Sequence, residues 1–191
     1  MGLAFNLEGK GGGKSKFEPL SEGTHVVRLV RLVDLGLQRD EYQGEVSERY
    51  KIFITFESPD ETVMIEGKAM PKFISAELTV SSHEQAKLPK FIKALIPGSS
   101  GDINLGDLVG KCAQVSVGRT AGGNAKILGI MPLAKGQQVT ETETKLEIYD
   151  LTNGKDAVFK ALPKFVQEKI EGRIGGGKNS VDENPSLPPV M

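Results

Sequence analysis

Two runs of the sequence alternate with the period of a β-strand, and each leaves a phenylalanine among polar and charged neighbours. The first run, from Arg49 to Glu57, has an apolar face of Tyr50, Ile52, Ile54 and Phe56 and an opposite face of Arg49, Lys51, Phe53 and Thr55. The second run, from Lys72 to Val80, has an apolar face of Ile74, Ala76, Leu78 and Val80 and an opposite face of Phe73, Ser75, Glu77 and Thr79. Exposed rings beside cations hold single-stranded nucleic acid, because the rings stack on bases and the cations contact phosphates. The pattern predicts that Phe53 and Phe73 stack on bases.

Further residues are expected to line the same surface if the two runs are neighbours in one sheet. Phosphate contacts are predicted from the cations Lys51, Lys72, Arg49, Lys111, Arg119 and Lys126. Tyr42 lies in a polar segment before the first run, where a tyrosine either stacks on a base or holds its own loop through a hydrogen bond.

A second interpretation of Phe53 and Phe73 follows from the carboxy-terminal part of the chain. An amphipathic helix is predicted from Asp156 to Ile170, and its apolar stripe consists of Val158, Phe159, Leu162, Phe165, Val166 and Ile170. That stripe needs a partner, and the face that carries Phe53 and Phe73 is one. In this case the two rings stabilise the fold instead of binding a ligand, unless nucleic acid displaces the helix.

The composition excludes several function classes. The chain has 191 residues and a formal net charge of -1, so positive charge for a nucleic-acid site has to be local. With one cysteine and two histidines, His25 and His83, that are far apart, the sequence predicts no metal site and no cofactor. No nucleophile with a nearby base and no acid and base pair stands out, which predicts a protein that is not an enzyme. A lone Cys112 and the lack of a run of about 20 apolar residues predict a cytoplasmic protein without membrane partners.

Hydrophobic periodicity and clusters of glycine and proline divide the chain into elements. A long strand with no purely polar face is predicted over 24–37, and a polar loop over 39–47 separates it from the two runs described above. A helix is predicted after Ser81, because Ser81 and Glu84 have the spacing of a capping box. The segments 111–117 and 125–131 form a predicted hairpin with its turn at 121–124.

Three strands, a helix and two strands match the oligonucleotide/oligosaccharide-binding (OB) fold. The predicted fold class is therefore mainly β, with a five-stranded OB-fold barrel, a helix between strands 3 and 4, and a C-terminal amphipathic helix. The predicted organisation is a flexible N-terminal arm at 1–22, an OB-fold domain at 23–133, an accessory segment with the C-terminal helix at 134–171 and a disordered tail at 172–191.

Four short segments carry a resemblance to a known family. They are RLVDLGLQ at 31–38, YQGE at 42–45, ITFE at 54–57 and SSHEQAKL from Ser81. With them, residues 20–133 resemble a family of tailed-phage single-stranded DNA-binding proteins with an OB fold. The resemblance implies sequence-independent binding of single-stranded DNA in phage DNA replication or recombination, in the cytoplasm of an infected bacterium, with replication or recombination proteins as partners. It assigns a binding role to no individual residue.

An alternative function remains open on the same fold. Because a fold does not determine its ligand and the net charge is slightly negative, the chain also fits an OB-like protein-interaction or regulatory module that does not bind nucleic acid. Exposed strand edges and a helix without a partner are compatible with a homodimer.

Overall fold

A computed structural model describes residues 18–175. Six strands, three α-helices and two short 3₁₀ turns follow one another in this order: β1 (Gly23–Tyr42), β2 (Glu45–Ile65), β3 (Lys68–Thr79), α1 (Lys87–Leu95), a 3₁₀ turn (Leu105–Leu108), β4 (Cys112–Arg119), β5 (Ala125–Met131), β6 (Glu147–Tyr149), a 3₁₀ turn (Leu151–Asn153), α2 (Ala157–Ala161) and α3 (Lys164–Glu171). Most of the predicted arm (1–17) and most of the predicted tail (176–191) lie outside the described residues.

The strands form one sheet in the order β3-β2-β1-β4-β5, and each neighbouring pair is antiparallel. The short β6 pairs with β1 in parallel. The prediction of a mainly β fold is confirmed. Over residues 18–175 the sheet is open, because β3 and β5 approach each other without forming a strand pair.

β1 bends so that its two halves pair with different strands. Its beginning, Gly23–Arg28, pairs with β4, and the rest pairs with β2 across register shifts at 29–31 and 34–36. Gly36 lies at the second shift with a φ of 71°, in the left-handed region that favours glycine. A Cβ there would lie 2.8 Å from the Arg173 side chain and 2.9 Å from that of Leu151. A larger residue at this position would therefore be strained by its backbone conformation and would contact these two side chains.

The predicted polar loop at 39–47 is wrong, because β1 continues to Tyr42 and β2 begins at Glu45. Only Gln43 and Gly44 form the turn, and both have positive φ, at 52° and 80°. Such a two-residue turn matches the twist of the flanking strands, so pairing continues beyond the core. We call the paired residues 37–50 the β1–β2 ribbon. Its polar composition reflects exposure of both faces and not a lack of secondary structure.

Each face of the sheet has its own hydrophobic core. The first core lies between the sheet and α1, and it includes Leu29, Ile54, Phe56, Phe91 and Val115. The second core lies on the opposite face, and it consists of Val33, Leu35, Phe53, Tyr149, Phe159, Leu162, Val166 and Ile170. Alternation along β2 explains the division, because successive side chains point to opposite faces.

The two helices predicted from the sequence have different bounds in the structure. α1 begins at Lys87, and Ser81 does not cap it, since the Ser81 hydroxyl oxygen accepts a hydrogen bond from the His83 amide at 3.2 Å. The predicted helix over 156–170 is two helices, because Leu162 is extended (φ -68°, ψ 152°) in front of Pro163. A residue that precedes proline disfavours the helical conformation.

Candidate nucleic-acid interface

Phe53 does not have the exposure that base stacking requires. Its side chain is 7% exposed and lies in the second core. The Phe165 ring of α3 packs edge-on against it, with 5.6 Å between ring centroids and an interplanar angle of 79°. The interpretation in which the C-terminal helices cover this face therefore holds for Phe53. Phe73 is half-buried, opposite Glu57 in the β2–β3 register.

The two lysines that were expected to flank these rings form ion pairs with carboxylates. Lys51 Nζ lies 2.6 Å from Asp40 Oδ1 and 2.8 Å from Glu77 Oε1. Burial acts to lower the pKa of Lys51, but the hydrogen bonds to Asp40 and Glu77 outweigh it and raise that pKa. Lys72 Nζ lies 3.3 Å from Glu61 Oε2. A phosphate group could therefore bind Lys51 or Lys72 only if it displaced these carboxylates.

Glu77 joins α3 to the sheet. It accepts hydrogen bonds from Lys51 on β2 and from Lys169 on α3. Burial acts to raise the pKa of Glu77, but these two bonds outweigh it and lower that pKa. A further hydrogen bond attaches α3 to β1, because the Gln38 side chain donates through Nε2 to the Lys169 carbonyl oxygen at 3.0 Å. The C-terminal segment is thus bound to the sheet by polar contacts as well as by the second core.

We expect Glu77→Gln to destabilise the protein at neutral pH by about 1–2 kcal/mol, because two charge-assisted hydrogen bonds weaken. The pKa of Glu77 is lowered in the folded state, so its contribution is present above the ordinary carboxyl pKa and is lost as pH falls through the lowered value. In urea unfolding, the free energy of unfolding of Glu77→Gln should be lower than that of the wild type at about pH 7, and the two values should become closer towards about pH 3. The exposed Glu48→Gln is the matched control. If Glu77→Gln were destabilised by the same amount at both pH values, the charge of Glu77 would not be the cause, and this prediction would be wrong.

Tyr42 and Arg49 come together on one side of the β1–β2 ribbon. Tyr42 is 75% exposed, and Arg49 is exposed. Together they line a shallow depression with Asp40, Glu41 and Ser47. Within residues 18–175, Arg49 forms no ion pair. An exposed ring and a guanidinium group without a counter-ion in that part of the chain are suited to a base and a phosphate.

Arg119 and Lys126 lie near the turn of the β4–β5 hairpin, whose prediction is confirmed, but the register places their side chains on opposite faces. Both are exposed, and Lys126 lies opposite Gly118, next to Arg119 in the ladder. The turn is closed by a hydrogen bond of 2.9 Å from the Thr120 amide to the Asn124 carbonyl oxygen. Lys111 is exposed just before β4 and does not belong to the hairpin tip. The nine predicted site residues therefore occupy separate places and not one face.

Arg49 also lines a second depression at the base of the ribbon, which sequence analysis missed. Its lining combines the end of β3 with the connection to α1, and it consists of Arg49, Glu77, Leu78, Thr79, Ser81, His83, Gln85, Ala86 and Lys87. The sequence predicts that a helix begins in residues 81–87, whereas in the structure these residues form a polar connection between β3 and α1. We call this depression the β3–α1 groove.

Ser21, His25 and Glu61 resemble a hydrolase triad in composition but not in geometry. His25 Nε2 lies 2.9 Å from the Ser21 carbonyl oxygen, which can only accept, so Nε2 has to carry the proton there. A protonated Nε2 cannot accept the proton of the Ser21 hydroxyl, which instead hydrogen-bonds Glu61. Burial raises the pKa of the Cys112 thiol, which disfavours a reactive thiolate.

Across residues 18–175, no three His, Cys, Asp or Glu side chains are grouped closely enough to hold a metal ion. No helix in the same part of the chain is long and apolar enough to span a membrane. No family model matches the chain, and neither does any curated protein.

Proposed function

We propose that this chain is a sequence-independent single-stranded DNA-binding protein that binds DNA along the β1–β2 ribbon. The observation that carries the proposal is that the exposed Tyr42 ring and the exposed Arg49 lie on one side of the ribbon and line the same depression. Stacking on an aromatic ring tolerates any base, and a nearby cation contacts the backbone, which is how single strands are held without base-specific hydrogen bonds.

The arrangement of elements supports an OB-type architecture for the proposal. The strand order β3-β2-β1-β4-β5, the helix α1 after β3 and the approach of β3 to β5 are what a small OB barrel with an incompletely paired seam requires. In that fold the connections after strands 1 and 4 flank the bound strand. Here these connections are the turn of the β1–β2 ribbon and the β4–β5 hairpin, which present Tyr42, Arg49, Arg119 and Lys126.

Phe53 has a different role in this proposal from the one its sequence context indicates. It anchors α3 in the second core, and the proposed binding surface lies where the Tyr42 ring and the cations Arg49, Arg119 and Lys126 are exposed. On the basis of the resemblance to tailed-phage proteins, we propose that this activity serves DNA replication or recombination in an infected bacterium, with replication or recombination proteins as partners.

Tyr42→Ala should weaken binding of a fluorescently labelled oligothymidine by roughly 5- to 150-fold, since stacking contributes about 1–3 kcal/mol per base. Arg49→Ala should weaken binding and make the slope of log K against log salt less steep by about 0.7, the value for one phosphate contact on a single strand. Fluorescence anisotropy at several salt concentrations measures both.

Arg39→Ala is the matched control for this experiment. Arg39 lies on the same ribbon and is exposed, but it is opposite Glu48 in the ladder, and alternation places it on the other side from Arg49. Its replacement should leave the affinity and the slope nearly unchanged. Equal effects of Arg39→Ala and Arg49→Ala would show attraction by overall charge and not a binding surface. No binding by the wild type at low salt would favour the protein-interaction module.

A further inference from the structure

We infer that the bound DNA strand continues from the ribbon into the β3–α1 groove, where His83 and Lys87 contact its phosphates. The inference rests on the proposed function and extends its site. Arg49 lines both depressions, so the two form adjoining parts of one surface that runs from Tyr42 past Arg49 to Lys87. Tyr42 faces Glu45, four residues before Arg49, so the backbone positions of Tyr42 and Arg49 are about 13 Å apart along the ribbon at the rise of a β-strand.

The charges along this surface favour a polyanion despite the acidic residues among its lining. The carboxylates of Asp40 and Glu77 are both bound by Lys51, and Glu77 is bound by Lys169 as well. Arg49 and Lys87 are exposed and form no ion pair within residues 18–175. Of the three carboxylates that line the two depressions, Asp40 and Glu77 are therefore neutralised, whereas Glu41 forms no ion pair within residues 18–175. The cations Arg49 and Lys87 outnumber this one carboxylate and can bind phosphate groups.

The connection before α1 presents His83 in a defined orientation. His83 Nδ1 accepts a hydrogen bond from the Gln85 amide at 3.2 Å, and the Ala86 amide donates to the His83 carbonyl oxygen at 2.8 Å. Because Nδ1 accepts, the neutral imidazole carries its proton on Nε2, which is then a donor for a phosphate oxygen. Ser81 and Gln85 are further polar residues that line the same groove.

The chain has two histidines, which makes the groove directly observable by NMR. The imidazole C–H signals of the full chain are recorded while an oligothymidine of about 12 nucleotides is added, a length within the range of roughly 4–16 nucleotides for an OB fold. His83→Gln assigns the signals. The His83 signals should shift with the same saturation curve as anisotropy. The signals of His25, near the beginning of β1 and held by the Ser21 carbonyl group, should stay in place.

Substitution separates this inference from the proposed function. Lys87→Ala should weaken binding and make the salt slope less steep by about 0.7, whereas Lys93→Ala, an exposed lysine of the same helix outside the groove lining, should do neither. If the wild type binds and Arg49→Ala weakens binding, while the His83 signals stay fixed and Lys87→Ala matches the wild type, the inference is overturned and the proposed function stands. If the wild type binds no oligothymidine, both fail.

Discussion

Replacing Phe53 by alanine should lower the free energy of unfolding by about 3–5 kcal/mol, the usual cost of removing a buried phenylalanine ring. The ring is 7% exposed and belongs to the second core, where it packs against the Phe165 ring. Its loss leaves a cavity between β1, β2 and α3 that these elements can close only in part. Urea unfolding followed by circular dichroism measures the change, and oligothymidine binding by the folded variant should equal that of the wild type.

Phe165→Ala is the control on the other side of the same contact. Phe165 is 38% exposed, so its removal should cost less, about 1–2 kcal/mol. The contrary result would be a Phe53→Ala variant whose free energy of unfolding stays within about 0.5 kcal/mol of the wild type and which no longer binds DNA. The Phe53 ring would then stack on bases and would not be part of a core.

Replacing Arg28 by methionine should also cost about 3–5 kcal/mol, because it leaves a buried carboxylate without its counter-ion. The side chain of Glu57 is fully buried, and Arg28 contacts its Oε1 through Nε at 2.7 Å and Nη2 at 2.6 Å. Thr142 binds the same oxygen, whereas Oε2 has no hydrogen-bond partner within residues 18–175. The pair therefore joins β1 and β2 to the segment that follows β5.

The double variant Arg28→Met, Glu57→Met distinguishes the buried charge from a general loss of packing. Removing both partners takes away the unpaired charge, and apolar replacements of buried ion pairs are often neutral or stabilising. We expect the double variant to recover most of the stability lost by Arg28→Met, as measured by urea unfolding. A double variant that is no more stable than the single one would contradict this account.

Periodicity in the sequence locates the core parts of β1 to β5, because apolar residues mark the face of each strand that packs in the first core. It does not show that β1 and β2 are buried on their other face as well. It failed at the β1–β2 ribbon, where both faces are exposed and no alternation exists to signal a strand. The pair Gln43–Gly44 was the only local signal, and it is weaker than the Asn-Gly pair that is typical of such turns.

The site could be predicted only in part, because exposure and pairing depend on distant segments. Alternation places Phe53 on the face opposite Phe56, but whether that face is covered depends on helices more than 100 residues later in the chain. Lys51 is paired because the register brings it beside Glu77, which the sequence does not specify. The β3–α1 groove, which His83 and Lys87 line, is not predicted from the sequence because the predicted start of α1 lies too early.

The most direct test of DNA binding is an anisotropy titration of the wild-type chain with a labelled oligothymidine and with a duplex of matching length, at several salt concentrations. We expect the single strand to bind more tightly than the duplex, and log K to fall with log salt at a slope of about -0.7 per phosphate contact. Binding that is absent at low salt, or equal for single strand and duplex, would contradict this expectation.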